Sequence, residues 1–148
     1  MWSGPVAEYA GKFFEDLEIG MSHETEHTIT EDDIEAFASV SGDRNPLHMD
    51  EDYAKTTIFK GRIAHGALTA SYISGILGND LPGPGAIFTD LSLQFKRPVR
   101  IGDVVTARAE VTEKMEKGSR VVLAVKCMVN GKAVVEGEAR VVAPRRKG

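Results

Sequence analysis

The spacing of hydrophobic and polar residues changes part-way along this chain, from the period of an α-helix to that of a β-strand. In the first half, apolar residues recur every three or four positions, the spacing of one face of an α-helix. This pattern predicts an amphipathic helix over residues 30–40, with Thr30 as its N-cap and Asp33 completing an approximate capping box. Over residues 65–77 the apolar residues surround the helix on almost every side, which indicates a buried helix.

After residue 85 the pattern becomes that of β-strands. Strands are predicted over residues 86–95, 104–111, 121–129 and 133–142, with an earlier, half-exposed strand over residues 22–29. Turn residues separate them, and Asn130-Gly131 is the strongest two-residue hairpin signal. One buried helix with antiparallel strands predicts an α+β fold in which the sheet wraps around the helix. Because a single curved sheet leaves an open edge that needs pairing or blocking, the same plan predicts an oligomer.

Composition and charge indicate one soluble globular domain, residues 1–148. The apolar fraction of 42% and charged fraction of 27% exclude fibrous and disordered classes. A net charge of −4 argues against a nucleic-acid partner, which would require a basic surface. No apolar run is long enough to span a bilayer, and residues 1–20 lack the apolar stretch of a secretory signal. The single cysteine, Cys127, excludes an internal disulfide and is interpreted as a buried strand residue of a cytoplasmic protein.

Candidate chemistry is concentrated in residues 41–50, SGDRNPLHMD. Pro46 fixes its own φ and disfavours the helical region at Asn45, so a tightly bent loop is predicted. The loop carries a carboxylate, Asp43, and an imidazole, His48. Such a pair commonly moves protons at neutral pH, because a carboxylate can orient an imidazole that titrates at about pH 6.5. The alternative is structural: Asp43 caps a turn and His48 packs under the next helix.

A second segment accompanies this loop: IAHGALT, residues 63–69, in which His-Gly opens the buried helix. Together the two segments resemble the MaoC-like, or R-specific enoyl-CoA hydratase, family, whose pattern is S-G-D-x-N-P-L/I-H-x-D followed by A/V-H-G-M/A-L. The similarity continues through FKRPVRIGD, residues 95–103, to VVEGEARVV, residues 134–142. The resemblance implies the hotdog fold, an antiparallel sheet wrapped around a long central helix.

The resemblance also implies a reaction. Water would add reversibly across the C2=C3 bond of trans-2-enoyl thioesters and give R-3-hydroxyacyl products. Asp43 and His48 would hold the water, activate it and shuttle its proton, and the sequence does not separate which of them protonates C2. The backbone N–H of Gly66, at the start of the buried helix, would stabilise the enolate oxygen.

Four further residues are implied as substrate-binding: Asn45, His65, Ser74 and Leu77. Each also has a structural interpretation. His65 would be a helix-start residue bonded to backbone that orients Gly66 or the loop, and Asn45 would hold the loop through backbone bonds. Ser74, implied to lie near the thioester, could instead bond the carbonyl one turn earlier. Leu77, the implied floor of the acyl pocket, could be an ordinary core residue.

No cofactor or metal ion is implied. His48, Asp50 and His65 could form a three-ligand set of the kind that binds catalytic zinc. However, hydration needs no Lewis acid, and Asp50 is interpreted as the cap of a short helix. The phosphates of coenzyme A would meet surface basic residues, for which the candidates are Lys60, Arg62, Lys96 and Arg97.

The expected partners are an acyl-CoA or acyl carrier protein thioester and a second copy of the chain. By resemblance, two copies pair edge to edge in a homodimer with the active site at the interface; the alternative is a monomer with a charged sheet edge. Two other functions compete, a hotdog acyl-thioesterase and a non-catalytic module that binds acyl thioesters or a partner protein. The complete SGDRNPLH motif favours the hydratase.

Overall fold

The computed structural model describes residues 11–146. The helices are α1 Glu31–Ser41, α2 Pro46–Met49, α3 Glu51–Ala54 and α4 Gly66–Asn79. The strands are β1 Ser22–Thr28, β2 Ile87–Phe95, β3 Val104–Met115, β4 Arg120–Val129 and β5 Lys132–Val142. Within residues 11–146, no helix has both the length and the apolar character that crossing a membrane would require.

The strands form an antiparallel sheet in the order β1-β3-β4-β5-β2, so that β1 and β2 are its edges. Helix α4 packs against β1, β3, β4 and β5. The inward face of β3 is fully buried and consists of Val105, Ala107, Ala109 and Val111. The two small alanine side chains in the middle of this face leave room for α4. The core therefore lies between the helix and the inner face of the sheet.

Gly137, in the middle of β5, allows the edge strand β2 to approach closely. A Cβ atom at this position would overlap the carbonyl oxygen of Ser92 on β2. Any side chain would therefore force the two strands apart, which is why a glycine is needed inside a strand here. The close approach fixes the path of β2 and, with it, the position of Phe95 at the end of that strand.

The predicted α+β plan is confirmed, with a sheet that covers one helix. Helix α4 is buried on one face and not on almost every side, since Ala67, Ser71 and Ser74 are exposed. The capping box is present: the Asp33 N–H donates to Thr30 Oγ1 at 3.1 Å, and the Thr30 N–H donates to Asp33 Oδ2 at 2.9 Å. Asn130 and Gly131 both have positive φ, 51° and 75°, as a type I′ hairpin turn requires. Cys127 is fully buried on β4, and burial raises the pKa of its thiol to about 12.

The prediction of a loop over residues 41–50 is partly wrong. Gly42 follows the end of α1 in the left-handed conformation, with φ 79°. The chain then forms one helical turn, α2, with Asn45 as N-cap and Pro46 as its first residue. Proline is tolerated at this position because the first N–H of a helix has no partner within it. His48 therefore belongs to a helical turn rather than to a loop.

Candidate active site

Asp43 lies in the connection between α1 and α2, where side-chain hydrogen bonds fix the backbone. Ser41 Oγ donates to the Phe37 carbonyl at 2.7 Å and accepts from the Asp43 N–H at 3.1 Å. The Asn45 N–H donates to Asp43 Oδ1 at 3.2 Å. One carboxylate oxygen is thereby tied to the loop, and the exposed side chain keeps the other for a ligand. Asn45 holds the loop, since its Oδ1 accepts from the Leu47 N–H at 3.0 Å.

His48 lies on α2, with 9% of its surface exposed. Its Nδ1 is 2.9 Å from the carbonyl oxygen of Ile63. Since a carbonyl oxygen can only accept a hydrogen bond, Nδ1 carries the proton of the neutral ring and Nε2 keeps a lone pair. The ring therefore offers a basic nitrogen, not an N–H, to whatever occupies the space beside it.

His65 is the N-cap residue of α4 and is 1% exposed. Its Nε2 is 2.9 Å from the Asp43 carbonyl oxygen, so this nitrogen carries the proton. Its Nδ1 is buried and has no hydrogen-bond partner in the described part of the chain. The ring lies against that of His48, with centroids 4.1 Å apart. His65 thus joins the Asp43 loop to the start of α4, and its contact with substrate stays a prediction.

The Asp43 carboxylate and the two histidines converge. One ligand atom from each of Asp43, His48 and His65 lies within 4.8 Å of the others. Carboxylate oxygens and histidine nitrogens are donors that suit either a water molecule or a metal ion. Asp50, a member of the metal set considered from the sequence, has another role. Its Oδ1 accepts from the Tyr53 N–H at 3.2 Å and caps α3.

A cavity of about 380 Å³ lies beside this group, and His48, Gly66, Thr69 and Phe95 are among its lining residues. Gly66 is the first residue of α4, so its N–H has no partner within the helix. The positive end of the helix dipole also lies here. A negatively charged oxygen in the cavity would therefore be stabilised by this N–H and by the dipole.

Phe95, the last residue of β2, explains why position 66 holds glycine. A Cβ atom on Gly66 would lie 2.8 Å from two ring carbons of Phe95. The ring is 57% exposed, and it lines both the first cavity and a second one of about 470 Å³. Phe95 thus forms a wall between the two cavities, directly over the start of α4.

The second cavity follows α4 and reaches Ser74. A third, of about 70 Å³, is lined by both Ser74 and Leu77. Ser74 lies eight residues after Gly66 in α4, which is roughly 12 Å along the helix axis. Ser74 does not line the first cavity, and its place near a thioester stays a prediction. Leu77 is 2% exposed and belongs to the hydrophobic core.

Thr69 and Phe95 are cavity residues that sequence reasoning misses. Thr69 lies one turn into α4, and its Oγ1 is buried without a partner among residues 11–146. In the sequence it stands inside an apolar run, and no motif signals it. Phe95 begins the FKRPVRIGD segment, so the resemblance of that segment is the one available signal.

The structure contradicts the expectation that Arg62 is a surface residue for the phosphates of coenzyme A. Its side chain is 11% exposed. Its Nε donates to the His48 carbonyl at 2.6 Å, and its Nη1 donates to Glu31 Oε1 at 2.8 Å. The guanidinium thus already bonds two groups of the same chain, the His48 carbonyl and the Glu31 carboxylate. Lys96 and Arg97 do line the first cavity, and their contact with phosphate stays a prediction.

Comparison with known proteins agrees with this geometry. The MaoC-like domain family matches residues 14–133. This chain belongs to that family. The family expected from the two motifs is thereby confirmed.

Individual relatives match over nearly their whole length. The chain is 53% identical to the (R)-specific enoyl-CoA hydratase of Rhodospirillum rubrum over 134 residues, covering 90% of this chain and 93% of that protein. It is 44% identical to the 3-hydroxybutyryl-CoA dehydratase of Methylorubrum extorquens over 135 residues, covering 91% and 86%. Among solved structures, unliganded R-hydratase PhaJ1 of Pseudomonas aeruginosa has a TM-score of 0.87 at 44% identity, over 92% of this chain and 88% of that one. The expected hotdog fold is confirmed.

The hydrogen bonds predict opposite tautomers for the two histidines of the site. Long-range ¹H–¹⁵N spectra at mildly alkaline pH, where histidine is neutral, should show His48 protonated at Nδ1 and His65 at Nε2. The variants His48→Gln and His65→Gln assign the signals by removing one ring each. A His48 ring protonated at Nε2 would contradict the bare nitrogen that the Ile63 contact implies.

Proposed function

We propose that this chain catalyses the reversible addition of water to trans-2-enoyl thioesters, giving R-3-hydroxyacyl thioesters. One observation carries the proposal: His48, whose Nε2 is left bare by the Ile63 contact, and Gly66 line a single cavity, and one Asp43 carboxylate oxygen lies within 4.8 Å of a His48 ring nitrogen. Hydration needs a base for water and a donor for the enolate oxygen, and these groups supply both. The relative in Rhodospirillum rubrum is named an (R)-specific enoyl-CoA hydratase, and the one in Methylorubrum extorquens a 3-hydroxybutyryl-CoA dehydratase; both names support the proposal.

In this proposal a water molecule is held by Asp43 and His48, which both accept hydrogen bonds from it. Nε2 of His48 takes a water proton as the new C3–O bond forms, and the electrons of C2=C3 move to the thioester oxygen as an enolate. When the enolate collapses, C2 takes a proton from the Asp43–His48 pair. One water is consumed, and the pair regains its starting protonation state. No metal ion takes part in this mechanism. That the reaction requires no metal ion stays a prediction.

The Gly66 N–H receives the thioester oxygen. Negative charge develops on this oxygen in the transition state, so a fixed donor there lowers the barrier without having to reorganise. The helix dipole of α4 adds to the effect. Because the residue is glycine, the oxygen can approach the backbone, and the Phe95 ring covers part of the cavity above it.

The three cavities indicate a path for the substrate, an acyl-CoA or acyl carrier protein thioester. From Gly66 the acyl chain passes Phe95 and continues along α4 towards Ser74 and Leu77. The phosphate-bearing end leaves the first cavity where Lys96 and Arg97 line its wall. Ser74 in this proposal contacts the acyl chain rather than the thioester.

The first test removes each member of the pair. Asp43→Asn and His48→Gln should each lower hydration of crotonyl-CoA by about 10²–10⁴-fold, the usual cost of losing a positioned acid or base. Both should remain folded, because Asp43 is exposed and a glutamine amide can still donate to the Ile63 carbonyl. The measurement is loss of the enoyl absorbance. Asp50→Asn is the matched control: it alters a carboxylate of the same motif that only caps α3.

The same assay separates the competing functions when free thiol is followed in parallel. Enoyl loss without thiol supports the hydratase, and dialysis against EDTA should leave its rate unchanged. Release of free thiol would identify a thioesterase instead. Binding of crotonyl-CoA with neither reaction, or full activity in the Asp43 and His48 variants, would refute the proposed mechanism.

The second test concerns the donor for the enolate. Gly66→Ala keeps the backbone N–H but places a Cβ atom where the thioester oxygen must approach, so turnover should fall by about 10²-fold, similar to the loss of an oxyanion donor, while helix propensity favours folding. Gly75→Ala is the matched control, since a Cβ atom at this position in the same helix meets nothing within 4 Å. The double variant Gly66→Ala with Phe95→Leu distinguishes a direct block of the thioester oxygen by the alanine Cβ atom from a displacement of the Phe95 ring. Recovery of activity in it would mean that alanine acts only by displacing the Phe95 ring.

We also propose that two chains pair along β2 to form a homodimer. One side of β2 bonds β5, and the other side leaves its backbone groups open at the sheet edge. Large apolar side chains are exposed on this strand: Ile87, Phe88, Leu91 and Phe95. Open edges need pairing, and such side chains are typical of a covered surface. The second cavity also opens among Leu91 and Phe95, so a partner here would help to enclose the acyl chain.

Sedimentation should therefore give the mass of two chains. Leu91→Glu should shift the protein to the monomer, because two carboxylates would be buried facing a sheet edge, and activity should fall with dissociation. Ile19→Glu is the control, since Ile19 is exposed just before β1 at the opposite edge. A fully active wild-type monomer at assay concentration would refute the dimer.

The remaining sequence-based expectations stay predictions. These are the single-domain organisation of residues 1–148, a cytoplasmic location, and the absence of nucleic-acid and membrane partners. Composition and net charge support them.

A further inference from the structure

Arg62 carries a positive charge that is almost removed from water. Its side chain is 11% exposed, although it belongs to neither a helix nor a strand. A charge in such a place is costly unless it is paired and hydrogen-bonded. Arg62 meets this condition with the His48 carbonyl at 2.6 Å and Glu31 Oε1 at 2.8 Å. The short contact to His48 places the guanidinium against the backbone of the proposed base.

Three hydrogen bonds join the two-residue segment Arg62-Ile63 to Leu47-His48. Arg62 Nε donates to the His48 carbonyl, the Ile63 N–H donates to the Leu47 carbonyl at 3.3 Å, and His48 Nδ1 donates to the Ile63 carbonyl at 2.9 Å. Helix α2 has four residues, too few to be stable alone. The position of His48 therefore depends on these contacts with the segment that leads into α4.

Arg62 also connects α2 to its neighbours on both sides. Glu31, which accepts from its guanidinium, is the first residue of α1. Glu51, whose Oε1 accepts from the Arg62 N–H at 3.3 Å, is the first residue of α3. One residue thus fixes three helices relative to one another at the motif.

We propose that Arg62 is a positioning residue for the reaction: it holds the backbone of His48 and so sets the direction of Nε2 in the cavity. The inference rests on the proposed function, because it assigns His48 as the base. Arginine suits the task because Nε and Nη1 address two acceptors in different directions, whereas lysine has one nitrogen. The site near the C-terminal carbonyls of α2 is also favourable for a cation.

The test compares Arg62→Ala, Arg62→Met and Arg62→Lys in steady-state hydration of crotonyl-CoA. A small displacement of a catalytic group can cost about 10²-fold, so kcat should fall by about 10–100-fold in the alanine and methionine variants. KM should stay within about twofold of wild type, since the guanidinium does not touch substrate. Arg62→Lys should recover part of kcat. Free guanidinium at millimolar concentration should raise the kcat of Arg62→Ala and leave wild type unchanged.

Arg108→Ala is the matched control. Arg108 forms ion pairs with Glu24 and Glu110 on the outer face of the sheet, away from the motif, and its loss should change neither kcat nor guanidinium response. Thermal melting is recorded for every variant. Unfolding of both Arg62→Ala and Arg62→Met would show a purely structural role and overturn the proposal.

Two other outcomes would also overturn it. A raised KM with unchanged kcat in Arg62→Met would mean that Arg62 acts on the substrate, for example on a phosphate. Unchanged kcat and KM would mean that His48 does not need it. Failure of the proposed function itself is distinguishable, because wild type would then be inactive. In that case the His48 imidazole ¹⁵N signals still report whether Arg62→Met moves the ring.

Discussion

Helix α4 presents one apolar face to the sheet, formed by Leu68, Ala70, Ile73, Ile76 and Leu77, and water must be excluded from this face. Ala67, Ser71, Ser74 and Gly78 on its other face are exposed. Fully burying one side chain such as Ile73 or Ile76 contributes about 1.5–3 kcal/mol, so enclosing this helix stabilises the fold strongly. The sheet achieves it by presenting small residues, Ala107 and Ala109, where the helix approaches. At Gly137 the backbone of β2 comes so close to β5 that no side chain fits. The shape of the sheet follows from the helix it must cover.

While the apolar face of α4 is buried, its N-terminus has backbone N–H groups that are free to bind a ligand. The first N–H groups of a helix have no internal partners, and here the residue that begins the helix lines a cavity. Hydrogen bonds to backbone carbonyls connect the proposed catalytic residues, Asp43 and His48, to the segment that begins α4. The Asp43 carbonyl accepts from His65, and the Ile63 carbonyl accepts from His48. Because a carbonyl oxygen can only accept a hydrogen bond, each contact fixes which ring nitrogen carries the proton. The neutral rings of His48 and His65 are therefore fixed in tautomer as well as in position.

Edge strand β2 links the site to assembly. Phe95 at its end closes the cavity over Gly66, and the same ring borders the second cavity, where Leu91 is exposed. A partner that covers β2 would therefore change the environment of the proposed acyl path. Catalysis and dimerisation are expected to depend on one another, because both use the same strand.

Local pattern in the sequence predicts most of the secondary structure. Helical spacing with a capping box predicts α1, alternation predicts the strands, and Asn130-Gly131 predicts the hairpin, because each depends on neighbours a few residues away. The motif also identifies Asp43, His48 and Gly66 as candidates. The prediction fails in residues 46–49, because proline can break a helix or begin one, and here it is the first residue of a helical turn.

The tertiary structure alone decided what surrounds these residues. His65 bonds a carbonyl 22 residues away, Arg62 bonds a carboxylate 31 residues away, and the ring that crowds Gly66 comes from β2. None of these partners leaves a periodic signal, since a contact between distant segments depends on how the whole sheet closes around α4. The sequence by itself therefore determined most of the elements, the family and the candidate reactive side chains. Packing between those elements decided the direction in which each side chain points. It also decided that Arg62 is buried and is not free to bind a ligand.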